Sequence, residues 1–377
     1  MGKSLNKIAL DLKANTSKVQ LIYAFNGTGK TRLSKEFKAL ISTQLATNED
    51  DEQQEISDRK ILYYNAFTED LFYWDNDLNN DSEPKLKIHS NEFTKWILET
   101  QGQEATIIQS FKNYTNEYLT PNFKSNYSEV IFSYNKSEDV KIDHIKISKG
   151  EESNFIWCVF YAIFKQIIED LNEIIEAGDL ASDLTSQFDK LEYIYIDDPV
   201  TSLDENHLIQ LGVDLATMIK KSKSDKLKFI ITTHNPLFYN VLYNELKVKS
   251  GFFLDKDEDE GFVLDKRFGD SNKTFSYHLH LKRIIENAIE NNQIERFHFN
   301  LIRNLYEKTA NFLGYNGWAE ILPDDKKLYH TRITNFTSHS TLSTETIPDP
   351  TPEEKKVVEY LYNHLIDNYS YWKEAQR

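Results

Sequence analysis

Two sets of residues in this chain have the types and spacing to do chemistry. The first is Ala24-Phe25-Asn26-Gly27-Thr28-Gly29-Lys30-Thr31 together with Asp197-Asp198. Gly27 and Gly29 allow the backbone turns that aim N–H groups at phosphate oxygens, with Asn26 and Thr28 completing the loop. Lys30 supplies a point charge for the outer phosphates and Thr31 a hydroxyl for Mg²⁺. Asp197 should hold that Mg²⁺ through water, and Asp198 sits where a water-polarising base belongs. These residues predict nucleoside triphosphate binding. The second set is Arg303, Glu307 and His339. Arg303 and Glu307 stand at i, i+4, on one face of a helix. His339 lies between two serines in the polar stretch Asn335-Phe336-Thr337-Ser338-His339-Ser340, which is not core patterning. A surface salt bridge plus a loop histidine is the bland alternative, although Arg before Glu is the weaker orientation for such a pair.

The elements that must position the first set alternate between strand and helix. A strand from Val19 to Phe25 runs into the loop, and a helix should start near Lys30, its N-terminal dipole facing the phosphates. Lys60 to Asn65 reads as a strand, Phe67 to Asp77 as aromatic and irregular, and residues 78 to 145 give short mixed signals. Glu152 to about Ala177 is helical. Leu191 to Asp197 is a buried strand, His207 to Lys220 a helix and Lys228 to Thr233 a second buried strand. Gly251 to Leu254 and Phe262 to Asp265 flank an acidic turn, as in a hairpin. From Tyr277 onward the pattern is helical, with helices expected over Leu279 to Glu290, Ile294 to Leu313 and Pro352 to Trp372. The alternation stops near 265. The expected organisation is therefore an α/β nucleotide-binding domain over residues 1–265 and a mostly α-helical domain over 266–377.

Charge divides in the same way. The chain has 377 residues and a net charge of −16. Residues 266–377 hold 15 Lys+Arg and 15 Asp+Glu, so the whole excess negative charge lies in the first 265. A polyanion would dock more readily on the C-terminal part, which also holds six of the ten histidines. Cys158 is the only cysteine, which excludes internal disulfides and thiolate zinc sites and fits a reducing cytosol. The longest apolar run, Phe155 to Phe164, is ten residues, too short for a bilayer. The N-terminus carries no signal-peptide core, so a cytoplasmic protein with no membrane partner is expected.

Four further motifs follow the phosphate-binding loop in fixed order: Ile147-Ser148-Lys149-Gly150-Glu151 before the long helix, Asp197-Asp198 at a strand end, Ser202-Leu203-Asp204 after it, and Thr232-Thr233-His234 ending the next strand. The series resembles the signature, Walker B, D-loop and switch histidine of ATP-binding-cassette ATPases, over residues 1 to 265. The resemblance implies a dimer in which two heads sandwich two nucleotides. Ser148 and Gly150, flanking Lys149 and followed by Glu151, would cap a helix aimed at the partner's γ-phosphate. Asp204 would belong to the same shared site, and His234 would reach the γ-phosphate. Three departures stand out. Ala24 replaces the first glycine of the loop pattern. Asp198 replaces the usual glutamate, and a carboxylate one methylene shorter predicts slow hydrolysis. No glutamine fits the Q-loop, a task left to Asn65 or a residue near Thr68. Only about 115 residues separate loop from signature, too few for a long coiled coil.

Nearly end to end, the chain is similar to the PrrC/RloC-like anticodon nuclease family. The stretches that carry this are Tyr64-Asn65-Ala66-Phe67-Thr68-Glu69-Asp70-Leu71-Phe72-Tyr73-Trp74-Asp75, Asp197-Asp198-Pro199-Val200-Thr201-Ser202-Leu203-Asp204 and Gly269-Asp270-Ser271-Asn272-Lys273-Thr274-Phe275-Ser276-Tyr277-His278. The resemblance implies an ATPase head regulating a nuclease domain, with Arg303, Glu307 and His339 as its catalytic triad. It implies cleavage of lysine tRNA 5′ of the wobble base, with Asp270 and Ser271 reading the substrate. It also implies latency in a type I restriction–modification complex, release during phage infection, and control by GTP hydrolysis and by dTTP. The residues themselves do not distinguish ATP from GTP. The triad suits the implied chemistry. No metal-ligand cluster is legible in this half, so the RNA's 2′-OH is the available nucleophile. Glu307 and His339 could divide proton removal and leaving-group protonation, while Arg303 stabilises charge on the phosphoryl oxygens. Products would be a 2′,3′-cyclic phosphate and a 5′-OH. Arg332, seven residues before His339, gives the Arg-x6-His spacing of HEPN-type ribonucleases and is a rival or helper to Arg303. The alternative from another class is a DNA-repair or DNA-end ATPase whose C-terminal helices only bind partners.

Overall fold

Short apolar runs buried on both faces build the central sheet of the first unit, the pattern expected of parallel strands covered by helices. In the computed structural model its elements are, in chain order, α1 (Leu5–Ala14), β1 (Val19–Tyr23), α2 (Lys30–Ser42), β2 (Ile61–Asn65), β3 (Phe72–Asp75), β4 (Lys85–Ile88), α3 (Glu92–Lys95), α4 (Glu104–Tyr114), β5 (Leu119–Phe123), β6 (Glu129–Ser137), β7 (Val140–Ile142), α5 (Lys149–Ala177), β8 (Tyr193–Asp197), α6 (Glu205–Lys221), β9 (Lys228–Thr233), α7 (Pro236–Glu245), β10 (Ser250–Lys256) and β11 (Phe262–Phe268). The structure describes residues 2–42, 59–65, 72–75, 83–89, 92–137, 140–178, 186, 188–199, 205–256, 261–268, 277–338, 350–369 and 371. They fall into two compact units, Met1–Ser271 and Asn272–Arg377.

The main sheet has the order β11-β10-β1-β9-β8-β2. Its five strands from β10 to β2 are parallel, and β11 closes one edge as an antiparallel hairpin partner of β10. Ser250 pairs with Phe268, so β11 runs on past the expected boundary at 265. Helices α1 and α7 lie where no helix was expected. In α1, capped by Ser4, Ile8 and Leu12 pack into the same core as Leu33 and Phe37 of α2. In α7, the Asn235 side chain accepts from the backbone N–H groups of Leu237 and Phe238, and Pro236 opens the helix.

Residues 78–145, unplaced by their mixed signals, contribute most of a second, antiparallel sheet of order β3-β4-β6-β5, with β7 on β6. The segment expected to be irregular contains β3, because Phe72 pairs with Ile88 and Trp74 with Leu86 on a shared apolar layer. Helix α5 joins the two sheets. Its Phe155 packs against Phe72, Phe111, Phe123 and Phe132 on the antiparallel side. Trp157, Phe160 and Phe164 of the same helix meet Tyr64 of β2. Cys158 is buried in this helix as a free thiol.

The second unit comprises α8 (Tyr277–Glu290), α9 (Phe297–Leu313), the 3-10 turn Trp318–Ile321, α10 (Lys326–Ser338) and α11 (Pro352–Asn368). Leu281 and Ile285 of α8, Ile302 and Leu305 of α9, and Val358 and Leu361 of α11 form its core. Gly314, at φ +82°, ends α9 in a left-handed cap, and a capping box of Thr351 with Glu354 starts α11. Helix α10 extends to Ser338, through most of the stretch read as a polar loop, and α11 stops at Asn368 rather than Trp372.

Candidate functional site

Parallel pairing places Ile22, Thr232, Asp197 and Asn65 in one row across β1, β9, β8 and β2. The residues that follow β1, β8 and β9 therefore emerge together at the carboxyl edge of the sheet, where open α/β sheets bind ligands. Gly27 at φ +80° and Gly29 at φ +102° supply the left-handed turns of the loop. Ala24, which stands where the general pattern has glycine, needs no such turn; it is buried and its N–H donates to the Thr233 carbonyl at 3.0 Å. Lys30 opens α2 with its ammonium folded onto the loop, 3.3 Å from the carbonyls of Ala24 and Phe25 and from Asn26 Oδ1.

The two adjacent carboxylates are buried but held differently. Asp197 Oδ1 accepts from Thr232 Oγ1 at 2.6 Å, while Oδ2 has Ser34 Oγ and Tyr63 Oη each at 3.4 Å. The two hydroxyls are themselves bonded at 2.9 Å. Burial pushes the Asp197 carboxyl above its ordinary value; hydrogen bonds from Thr232 and Thr31 offset this in part, the Asp198 charge adds to it and Lys30 opposes it. Asp198 leaves the strand with φ +52°, a strained backbone for a residue with a Cβ. Its carboxylate faces His234 Nδ1 at 2.7 and 2.8 Å, the His234 N–H at 3.2 Å and Lys30 Nζ at 3.4 Å. Burial pushes Asp198 upward as well, but the His234 bond and the Lys30 charge outweigh it and hold the carboxyl below its ordinary value. Thr31, at the start of α2, and Asp197, at the end of β8, are the two oxygen donors suited to a hard divalent cation. With the left-handed glycines and the start of α2, the donor set fits Mg²⁺ with a nucleoside triphosphate.

Ser148 is the N-cap of α5, which begins at Lys149 and so includes the signature residues. Its side chain accepts from the Glu151 N–H at 3.3 Å, and Glu151 Oε2 accepts from the Ser148 N–H at 2.7 Å, a reciprocal capping box around Gly150. Trp74 of β3 donates to Glu152 at 2.8 Å and ties this helix start to the antiparallel sheet. Asp204 lies outside the described residues, as do Thr68, Asp270, Ser271 and His339.

In the second unit Arg303 Nε donates to Glu307 Oε1 at 2.8 Å on α9. The guanidinium carbon lies 5.8 Å from the centre of the Trp318 ring. Helix α10, which carries Arg332, packs against α9 and ends one residue before His339. Sequence reasoning missed Ser34, Tyr63, Trp318 and His330, the last stacked on Trp318. Tyr63 carried a weak signal, two residues before the end of a strand that borders the Walker-type strand. Ser34 and Trp318 carried none, because their roles arise only from packing.

Comparison with known proteins bears on both units. A family model described as an AAA domain matches residues 178–362. The head domain of an SMC protein, solved with the C-terminal winged-helix domain of ScpA, aligns at a TM-score of 0.32 and 10% identity, covering 69% of this chain and 93% of that one. The SMC head domain from Thermotoga maritima aligns at 0.29 and 11%, covering 66% and 90%. Scores this low leave the fold to rest on the chain's own topology: a phosphate-binding loop after β1 and acidic residues ending β8, the α/β fold of a P-loop ATPase. An Escherichia coli protein named anticodon nuclease is 53% identical over 399 aligned residues, covering all of both chains. Identity of that order along the whole length settles kinship: the chain belongs to the anticodon nuclease family.

Proposed function

We propose that this protein is a nucleotide-gated endoribonuclease that cuts a tRNA in its anticodon loop as part of antiphage defence in the cytoplasm. The observation that carries the reading is the Arg303–Glu307 pair, bonded at 2.8 Å and accessible to a substrate, on a chain of this family. In the proposed reaction one of Glu307 and His339 removes the proton of the 2′-OH and the other protonates the departing 5′-oxygen. Arg303 stabilises the charge that builds on the phosphoryl oxygens. The chemistry needs no metal and leaves a 2′,3′-cyclic phosphate and a 5′-OH. DNA, lacking the 2′-OH, is inert. The substrate we favour is lysine tRNA, cut 5′ of the wobble base, with Asp270 and Ser271 contributing to its recognition.

In this proposal the first unit is the gate. Thr31 and Asp197 would hold Mg²⁺, which supplies charge against the phosphates of ATP or GTP when bound. Asn26, Gly27, Thr28, Gly29 and Lys30 cradle those phosphates, and His234 passes between Asp198 and the γ-phosphate. Ser148, Lys149, Gly150, Glu151 and Asp204 complete the site of a second head, so that nucleotide joins two chains in a homodimer or larger assembly. dTTP acts as a further regulator, and a type I restriction–modification complex holds the enzyme latent. The test is cleavage of total bacterial tRNA by wild type and His339→Ala with Mg²⁺ and either nucleotide. A discrete anticodon-loop cut with a cyclic phosphate end, absent in the variant, is expected. Intact tRNA from a folded protein whose nucleotide hydrolysis is stimulated by DNA would replace this reading with a DNA-associated ATPase.

A further inference from the structure

Trp318 leads the 3-10 turn of the second unit and is half-buried. Behind it Ile321 and Leu322 are buried in the helical core. The Tyr369 hydroxyl donates to the Ile321 carbonyl at 3.2 Å, and Lys326 Nζ to the Glu320 carbonyl at 2.8 Å. The turn is pinned from both sides. Among the described residues, an arginine and a histidine lie against its indole. The Arg303 guanidinium lies over the ring at 5.8 Å. The His330 imidazole stacks on it with centroids 4.8 Å apart and 19° between planes.

His330 is exposed on α10. Core packing does not call for an exposed imidazole laid parallel to an indole, whereas unpaired RNA bases stack on aromatic and histidine planes. A nucleotide presents a flat base and a charged phosphate one sugar apart. This cluster presents a flat π surface and a guanidinium one ring apart, and the guanidinium is the one bonded to Glu307.

From this arrangement we infer that the Trp318–His330 stack is a nucleobase seat: an unpaired base of the RNA lies on it while a neighbouring phosphate faces Arg303. The inference rests on the ribonuclease reading and deepens it by naming what grips the substrate beside the cut. Neither residue transfers a proton in this role.

The experiment uses the full-length protein and a labelled anticodon stem–loop RNA, with each loop nucleotide replaced in turn by an abasic site. His330→Ala should raise KM by about 5- to 50-fold, the loss of one base stack, with the loss falling on KM rather than kcat. His330→Phe, which keeps a flat ring and cannot titrate, should restore KM to within about threefold. One abasic position should penalise wild type and add nothing to His330→Ala. Unchanged KM in His330→Ala overturns the seat. So does a fall in kcat that phenylalanine fails to restore, which would make His330 a proton-transfer group. An abasic penalty equal in both proteins at every position overturns it as well. A wild type that binds nucleotide yet cuts no RNA sinks the ribonuclease reading along with the seat, whereas one that cuts, with both variants matching it, sinks the seat alone.

Discussion

Lys30 and Arg303 are both cations paired to a carboxylate, and in the proposed function both meet phosphate, yet their surroundings are opposite. The Lys30 and Asp198 side chains are 7% and 11% exposed, enclosed by the loop, the sheet edge and His234. Arg303 and Glu307 are 38% and 33% exposed on the side of a helix. Removing a partner from the first pair strands a charge in a low-dielectric setting, whereas water takes over at the second. If the proposed function holds, chemistry and folding are coupled at the first pair and separable at the second: a change at Lys30 or Asp198 disturbs the core, whereas one at Arg303 or Glu307 leaves the fold in place.

Arg303→Ala should give the largest effect and the cleanest separation. Cleavage of tRNA is expected to fall by about 10²- to 10³-fold, the range for removing one group that stabilises transition-state charge. Nucleotide hydrolysis and the melting temperature should stay at wild-type values. A collapse of Tm alongside the cleavage would show that the second site is also structural and would break the contrast.

At the sheet edge the expected order is reversed, with stability moving first. Asp198→Ala leaves the Lys30 ammonium buried beside the loop carbonyls and His234 without its carboxylate. A loss of about 3 kcal/mol in denaturant unfolding near neutral pH is expected, as for other broken buried pairs. The sign with pH follows from the carboxyl's lowered pKa. Its contribution is full above the ordinary carboxylate range of about pH 4 and disappears as pH falls through the folded value. Wild type and variant should therefore converge in acid. A gap that stays constant down to low pH would show that the ionised carboxylate is not what holds the site.

Asp197→Asn should shift stability the other way. Burial raises that carboxyl, so the folded state takes up its proton more readily than the unfolded state. The group favours folding at low pH and opposes it once pH rises through the folded value. An amide keeps an oxygen for the Thr232 hydroxyl and offers an N–H₂ to Ser34 and Tyr63. A gain of about 1 kcal/mol at neutral pH, fading in acid, is expected in the nucleotide-free protein, together with loss of Mg²⁺-dependent hydrolysis. Equal or lower stability would mean that the hydroxyls around Asp197 already offset its burial.

What could be read in the chain beforehand tracks this division. The loop is contiguous with β1, and the two acidic residues with β8, so residue type and order place each without tertiary knowledge. The same holds for β8 and β9, whose apolar runs match their burial. The antiparallel sheet was opaque, because Phe72, Phe132 and Phe155 are core only through contact with one another across distant segments. Ser34 was invisible and Tyr63 only weakly marked for a related reason: α2 and β2 meet Asp197 only when the sheet is assembled. In the helical unit, the spacing of four placed Arg303 and Glu307 on one face, but nothing local marked Trp318 or His330. Phe155 and Trp318 are alike in that each belongs to a surface made by several segments at once.

The smallest effect provides the strictest test of the contrast. Glu307→Gln preserves shape and an acceptor for Arg303 but removes the charge. A partly exposed i, i+4 pair with arginine first contributes only about 0.3 kcal/mol, so Tm should move by about a degree or less. If Glu307 handles the proton of the 2′-OH, cleavage should still fall by about 10²-fold or more, because an amide cannot accept it. That disproportion, a near-silent change in the fold against a large one in the reaction, is what a site outside the core predicts. A variant that cuts normally would reduce Glu307 to a tether for Arg303 and leave the proton work to His339.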